Sequence, residues 1–411
     1  MSSSGSVRRT VEAVWRMESA RIVGALARYT GDFALAEDVA QEALAEALTG
    51  WTRDGTPDHP VGWLLATGRR RAIDAFRRRS VQDEKYALLT PGESPDEPPW
   101  DPDRIDDDVL ALMFIACHPV LSAEARVALT LRAVGGLGSE EIARAFLVPV
   151  PTIQARITRA KKTIAAARVP FELPPADQRG ERLGGVLSVL YVIFTEGSTA
   201  TSGDDLMRTD LAAEAIRLAR MLAALLPGEP EVAGLLALCE LTAARFPART
   251  GPAGEPILLE DQDRRRWDRS AIRRGLAALE RAGKKGLGVY GLQAAIAACH
   301  ARATSVAETD WERVVLLYEA LGRIAPSPIV ELNRAVALAM AGAPERALSM
   351  VDDLLVTDQL VGSHLLPTVR GELLIRLGRP AEARAELELA ARLCGNARER
   401  SVLLKKAAAL G

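Results

Sequence analysis

The sequence predicts an all-α protein: two small helical domains, the second a helix-turn-helix, joined by a flexible acidic linker and followed by an α-helical, repeat-like C-terminal region. Three observations carry this. Apolar residues recur at helical spacing through most of the 411 residues. A proline- and carboxylate-rich stretch interrupts the pattern over residues 80–108. In the last third, a glycine–proline–alanine trio returns after 36 residues.

The first domain is expected over residues 8–79. Val11, Val14, Trp15, Ala20, Ile22, Val23, Leu26 and Ala27 make an apolar stripe that Gly31 and Asp32 break. A second helix is expected over about 34–51, with Leu35, Val39, Leu44, Ala47, Leu48 and Trp51 buried. Its other side is acidic and polar: Glu37, Asp38, Gln41, Glu42 and Glu46. After a turn-rich loop, 52–60, a third helix is expected over 61–79. There Trp63, Leu64, Ala66, Ile73 and Phe76 alternate with Arg69, Arg70, Arg71, Arg77, Arg78 and Arg79, and only Asp74 opposes the arginines. Like charges on one helix repel, so a phosphate backbone is the favoured neutraliser. Trp63 and Phe76 read equally as core residues or as faces for unstacked bases.

The stretch over 80–108 has little apolar surface to bury. It is far longer than the ~4–6 residues usual for loops inside a domain, so it is expected to separate two domains. The second domain is expected over 109–170. In it, Ser139 is placed to N-cap a short helix, and Glu140 and Glu141 suit that helix's positive end. Ile142, Ala143 and Phe146 give it an apolar face. The turn through Leu147, Val148, Pro149 and Val150 stops it, and Pro151 fits the first position of the next helix. On that helix, 151–166, Ile153, Ile157, Ala160 and Ile164 face inward. Thr152, Gln154, Arg156, Thr158, Arg159, Lys161 and Lys162 form an outer face without an acid. A helix-turn-helix presents such a face to the major groove. A basic amphipathic helix in an ordinary bundle is the alternative. Gln154, Arg156 and Arg159 are the candidates for base edges, and Thr152, Lys161 and Lys162 for phosphates.

A helical extension is expected over 171–285 and tetratricopeptide-like repeats over 286–411. Gly342, Pro344 and Ala347 return as Gly378, Pro380 and Ala383, close to the ~34-residue tetratricopeptide period. Residues 288–325 supply a third hairpin, with Trp311 and Tyr318 in its second helix. Stacked hairpins leave a concave surface for a peptide or protein. A plain helical bundle with coincidental spacing is the alternative.

The net charge of −2 does not point to nucleic acid, so that argument rests on where the charges lie. Cys117, Cys239, Cys299 and Cys394 are far apart and lack a CxxC spacing, which fits buried thiols in a reduced, cytoplasmic setting. No apolar run resembles a signal peptide or reaches the ~20 residues of a membrane helix. The sequence lacks a Gly-rich phosphate loop, a GxSxG and an HExxH, and His59, His118, His300 and His364 are scattered. No enzyme activity, metal or cofactor is therefore expected. The carboxylates Glu260, Asp261, Asp263 and Asp268 alternate with Arg264, Arg265 and Arg266 and read as an ion-paired structural loop rather than a cation site.

The motifs AEDVAQEALAEAL (36–48), PVGWLLATGRRRAIDAFRR (60–78) and GLGSEEIARAFLVPVPTIQARITRAKK (136–162) stand in this order. Together they resemble a bacterial RNA polymerase sigma factor of the extracytoplasmic-function type, over most of residues 8–168. The region behind them resembles the helical extension of a long subgroup. The resemblance implies that Asp38, Gln41 and Glu42 dock on core RNA polymerase, with its β′ clamp and β subunits and promoter DNA as partners. It implies that the 52–60 loop and the helix after it, with Trp63, Arg69, Arg70, Arg71, Arg77 and Arg78, handle the −10 element. Helix 151–166 would read the −35 element, and the acidic linker would thread toward the RNA exit channel. The tail would regulate, with a protein or peptide as its partner. Family members often carry Ala-Arg-Asn where this chain has Gly68-Arg69-Arg70. The competing reading is a stand-alone helix-turn-helix regulator with a repeat scaffold. The Asp38/Gln41/Glu42 face and the basic helix discriminate, because only a sigma factor needs both.

Overall fold

Asp32 sets the first corner. Helix α1 (Ser2–Thr30) ends just before it, and its carboxylate accepts the backbone N–H groups of Ala34 and Leu35 at 2.9 and 3.1 Å. That N-cap starts α2 (Phe33–Asp54). The computed structural model describes residues 2–83, 105–199, 206–252, 254–356, 360 and 362–410. Among them the only extended pairing is an isolated bridge between Thr250 and Pro256. The chain forms two compact units, 1–190 and 191–411.

In the N-terminal unit α3 (Pro60–Asp83) packs on α1 and α2. Ile22, Leu26, Phe33, Val39, Trp51 and Leu64 are buried between them. The ring of Trp63 meets Trp51 edge-on at 5.5 Å. At Gly68 a Cβ would fall 2.7 Å from Leu26 Cδ1, so the Leu26 side chain occupies the space an alanine would need there. Leu48, expected inside, lies outside at 39% exposed, and on the basic helix Ile73 and Phe76 are 40% and 38% exposed.

Both ends of the expected linker are helical. No glycine or proline interrupts Ser80 to Asp83, so α3 continues through them. At the other end α4 (Ile105–Ala116) begins with Asp106, Asp107 and Asp108, which suit a helix N-terminus. Residues 84–104, the bulk of the linker, lie outside the described residues.

Helix α5 (Ala123–Leu129) is N-capped by Ser122 and runs into a π-type turn, Thr130–Val134. Then come α6 (Ser139–Phe146), α7 (Val150–Ala166) and α8 (Ala176–Ser198), in which the division between the units falls. Phe114, Leu129, Leu131, Ile142 and Ile153 are essentially inaccessible to solvent. Each such side chain contributes about 1.5–3 kcal/mol through burial.

In the C-terminal unit α9 (Thr209–Leu225) precedes α10 (Pro230–Ala243), whose residues are buried on every side from Val232 to Leu241. A helix apolar all round is a core helix. Helix α11 (Phe246–Arg249) is a single turn, and α12 (Arg269–Gly283) and α13 (Val289–Arg302) both pack on α10. That packing bridges residue 285, where the sequence suggests a boundary.

Three helical hairpins then follow the expected period. They use α13 with α14 (Trp311–Ile324), α15 (Pro328–Met340) with α16 (Pro344–Val356), and α17 (Leu365–Arg376) with α18 (Pro380–Leu393), before α19 (Ala397–Ala408). Gly342 and Gly378 turn the second and third hairpins at φ +97° and +70°, a region open to glycine at no steric cost. The alanines of the repeated trio, Ala347 and Ala383, are wholly buried.

All four cysteines are unpaired and buried. Burial pushes the Cys117 thiol up to about 11. His300 supplies a pH dependence. Burial, with the charges of Arg245 and Arg264, lowers its pKa to about 4. An unfolded chain takes up that proton near pH 6.5, the native one only near 4. Stability of the C-terminal unit should therefore fall as pH drops from about 6.5 to 4, by about 2–3 kcal/mol. Urea midpoints across that range, compared with His300→Phe, check this; the variant's profile should be flatter.

Candidate functional site

The helix-turn-helix forms as spaced, with two changes at the caps. Gly138, not Ser139, occupies the N-cap of α6, and Glu141 Oε2 accepts the Gly138 N–H at 2.7 Å. Glycine lacks a side-chain cap, so the third helical residue reaches back instead. Pro151 stands second in α7, still within the turn where backbone N–H groups lack partners. Leu147 closes α6 in the left-handed region at φ 50°.

On α7, Ile153, Ile157, Ala160 and Ile164 are buried as expected. Gln154, Thr158, Arg159 and Lys162 are exposed, and Thr152 and Arg156 are half-buried. Arg156 and Arg159 flank a hollow of about 340 Å³ that Ser122 and Glu124 close on the other side.

Lys161 does not share that face. Its ammonium pairs with Glu37, and with Asp38 at 2.7 Å. Burial draws its pKa down, but the two carboxylates outweigh burial and leave it above the ordinary lysine value. Glu37 also receives Arg132 Nε at 3.0 Å and is only 2% exposed. The acidic face of α2 is thus partly an internal surface, turned toward the helix-turn-helix module. Arg28 with Asp108 at 3.4 Å, and Arg16 with Glu141, join the same two modules. The sequence suggests modules held apart by a linker; they pack together in one unit. Ser19 makes the approach close, since a Cβ on Gly136 would fall 2.6 Å from its hydroxyl.

Of the expected polymerase-facing residues, Asp38 and Glu42 keep 63% and 51% of their side-chain surface open. Gln41 is half-buried, with its Nε2 lacking a hydrogen-bond partner.

The basic helix α3 is partly neutralised from within. Arg70 and Arg71 reach Glu46 at 3.2 and 2.8 Å. Hydrogen bonding to Glu46, with its charge, holds the Arg71 guanidinium above its ordinary value. Arg69 lies 5.5 Å from the centre of the Tyr29 ring. Arg77 and Arg78 are exposed, Arg78 Nε donating to the Asp74 carbonyl at 3.2 Å. Trp63 is half-buried against Trp51, which leaves part of its face accessible. The sequence shows six arginines facing one aspartate; it does not show that Glu46 of the preceding helix lies within reach.

The carboxylate-rich loop behaves as a structural element. Asp268 caps α12, accepting from Ser270 and Ala271 N–H at 2.8 and 3.0 Å. Asp263 pairs with Arg265 at 3.0 Å. One grouping has no sequence signal: His364 Nε2 lies 3.4 Å from Glu399 Oε1, and Cys394 Sγ 3.8 Å from Glu399 Oε2. Three ligand-type atoms meet there within 4.8 Å of one another. The start of α17, the end of α18 and the first turn of α19 bring them together, and nothing in their sequence spacing foretells it.

Comparison with known proteins agrees with the geometry. Residues 15–81 match Sigma-70 region 2, and residues 111–164 match Sigma-70 region 4. Residues 182–283 match a family of unknown function, DUF6596. An uncharacterized protein of Rhizobium meliloti is 45% identical over 92% of this chain and 90% of its own length. A probable ECF RNA polymerase sigma factor, SigI, of Mycobacterium tuberculosis is 28% identical over 41% of this chain and 59% of its own. The RNA polymerase sigma-H factor of Pseudomonas aeruginosa is 29% identical over 37% of this chain and 82% of its own. A solved tetratricopeptide repeat protein from Parabacteroides merdae aligns at TM-score 0.35 and 12% identity, over 66% of this chain and 98% of that one. With Sigma-70 region 2 ahead of Sigma-70 region 4 and a helical extension behind them, the chain carries both sigma domains and is similar to RNA polymerase sigma factors of the extracytoplasmic-function type.

Proposed function

We propose that this sigma factor docks on core RNA polymerase through Asp38, Gln41 and Glu42, and meets the −10 element with α3 and the −35 element with α7. The observation that carries the reading is the pairing of the two faces it needs in one unit: open carboxylates on α2, and a recognition helix with Gln154, Arg156, Thr158, Arg159 and Lys162 outward. Base-edge contacts then fall to Gln154, Arg156 and Arg159, and phosphate contacts to Thr152 and Lys162. Lys161 reaches DNA only after leaving Glu37 and Asp38. On this reading one opening step frees a polymerase contact and a DNA contact together. The C-terminal unit regulates that step.

The test is transcription by core polymerase, with this chain added, from a promoter core alone cannot use. Failure of both core binding and transcription sinks the sigma reading. For regulation, the chain should be cut after Ser198 rather than near Arg168. Helix α8 contributes Leu183, Val186 and Leu187 to buried positions, and Arg182 bonds the Phe114 carbonyl at 3.2 Å. Promoter output equal to that of the full chain at equal protein level counts against a regulatory tail.

Arg156→Ala and Arg159→Ala should each weaken −35 binding by about 1–3 kcal/mol where the side chain reads a base edge. A fall in the salt slope with no change in sequence preference assigns the residue to phosphate instead. Affinity titrations at several salt concentrations separate the two.

A further inference from the structure

The C-terminal unit holds a groove of about 480 Å³. Arg245, Arg249, Leu258, Trp311, Met340 and Leu403 are among its walls, contributed by α11 and its flank, α14, α15, α19 and one loop. That volume lies within the ~300–1,000 Å³ of small-molecule sites, room for one or two side chains of a bound segment.

Arg245 is the anomaly. Among the described residues it has no ion pair with a carboxylate. Its hydrogen bond to Gln262 Oε1 is long, 3.4 Å, and its guanidinium lies 5.4 Å from the Trp267 ring centre. Arg264 lies 4.6 Å from the centre of the same ring. Burial, with the like charges of Arg249 and Arg264, lowers the Arg245 pKa to about 10, so it stays cationic at neutral pH. Arg245 is half-buried, and a charge drawn that far from water is ordinarily paired.

Donors beside it are also unsatisfied. Arg264 and Trp267 are 9% and 3% exposed, yet Arg264 Nη2 and Trp267 Nε1 lack hydrogen-bond partners. His300 Nδ1, against Trp311, lacks one too. These three side chains lie behind the groove wall rather than on it, and Arg264 Nη1 already donates to the His300 and Ala303 carbonyls at 2.5 and 2.8 Å, so the group that faces the groove without a carboxylate is Arg245. The nearby acids are engaged elsewhere: Glu372 pairs with Lys406, and Glu399 faces His364.

We propose that this groove binds a short peptide segment carrying carboxylate side chains between aliphatic ones, with Arg245 as its anion anchor. An arginine fork suits a carboxylate. Aliphatic side chains cover Leu258, Met340 and Leu403, which a bare inorganic anion leaves wet. The consequence for transcription rests on the regulatory reading above; the binding itself does not.

The experiment uses the full chain and a fluorescein-labelled, acetylated pentapeptide alternating leucine with glutamate. Anisotropy should show it binding about tenfold tighter than the leucine–glutamine isostere, which is about 1.4 kcal/mol. This comparison needs no variant and is unaffected by misfolding. Arg245→Gln should erase the difference, and Arg245→Lys should keep part of it. Equal binding of the two peptides, or a preference that survives Arg245→Gln, overturns the proposal. Octanoate binding as tightly as the glutamate peptide also overturns it, in favour of a free organic acid. Core-polymerase retention is read on the same preparation, so absent peptide binding with intact retention rejects the groove alone.

Discussion

Glu37→Ala should destabilise the N-terminal unit by about 3 kcal/mol, toward the lower end of what breaking a buried ion pair costs. The carboxylate is 2% exposed and holds two cations from the other module, Arg132 and Lys161. Their side chains are only 20% and 15% exposed, so water does not replace the lost partner. Lys161 retains Asp38, which is why the upper end is not expected. Glu37→Gln keeps the shape and the acceptor and should fall between wild type and alanine. Urea unfolding of the full chain, followed by amide exchange in α7, reads both the energy and its place. A shift under about 0.5 kcal/mol, the usual range for a surface change, removes Glu37 from the junction.

Charge reversal at Asp38 and Glu42 should lower retention by core polymerase by two orders of magnitude or more, about 3 kcal/mol. The two carboxylates are the open part of the α2 face. Asp38 also touches Lys161, so reversal disturbs the internal junction as well as the docking face. Lys161→Ala separates the two effects. It breaks the same internal contact and leaves the carboxylates in place, so its retention should equal or exceed that of wild type. Retention untouched by Asp38→Lys with Glu42→Lys sinks the docking assignment. Loss matched by Lys161→Ala shows that the junction, not docking, was responsible.

The helices were legible because each is a local pattern. Ile153, Ile157, Ala160 and Ile164 lie on one face of α7 wherever that helix sits, and the Gly342 and Gly378 turns need only their own φ. The caps were less legible. Ser139 and Gly138 differ by one position, and the choice went to Glu141 reaching back.

The site residues divide the same way. Gln154 and Arg159 face outward because helical geometry alone puts them there. Lys161 has the same local credentials and lies against Glu37 and Asp38, 124 and 123 residues earlier in the chain. Glu37 looks like any solvated acid of an amphipathic helix until a second module covers it.

What the sequence determined by itself was the order of helices, their inward faces and the family they resemble. Side-chain type and a spacing of 3.6 residues per turn suffice for that. What the tertiary structure decided was which charges meet. Coulombic partners depend on distance through space, so the neutralisation of Arg71 by Glu46, the clasp of Lys161 and the crowding of Arg245 by Arg249 and Arg264 exist only once the chain is folded.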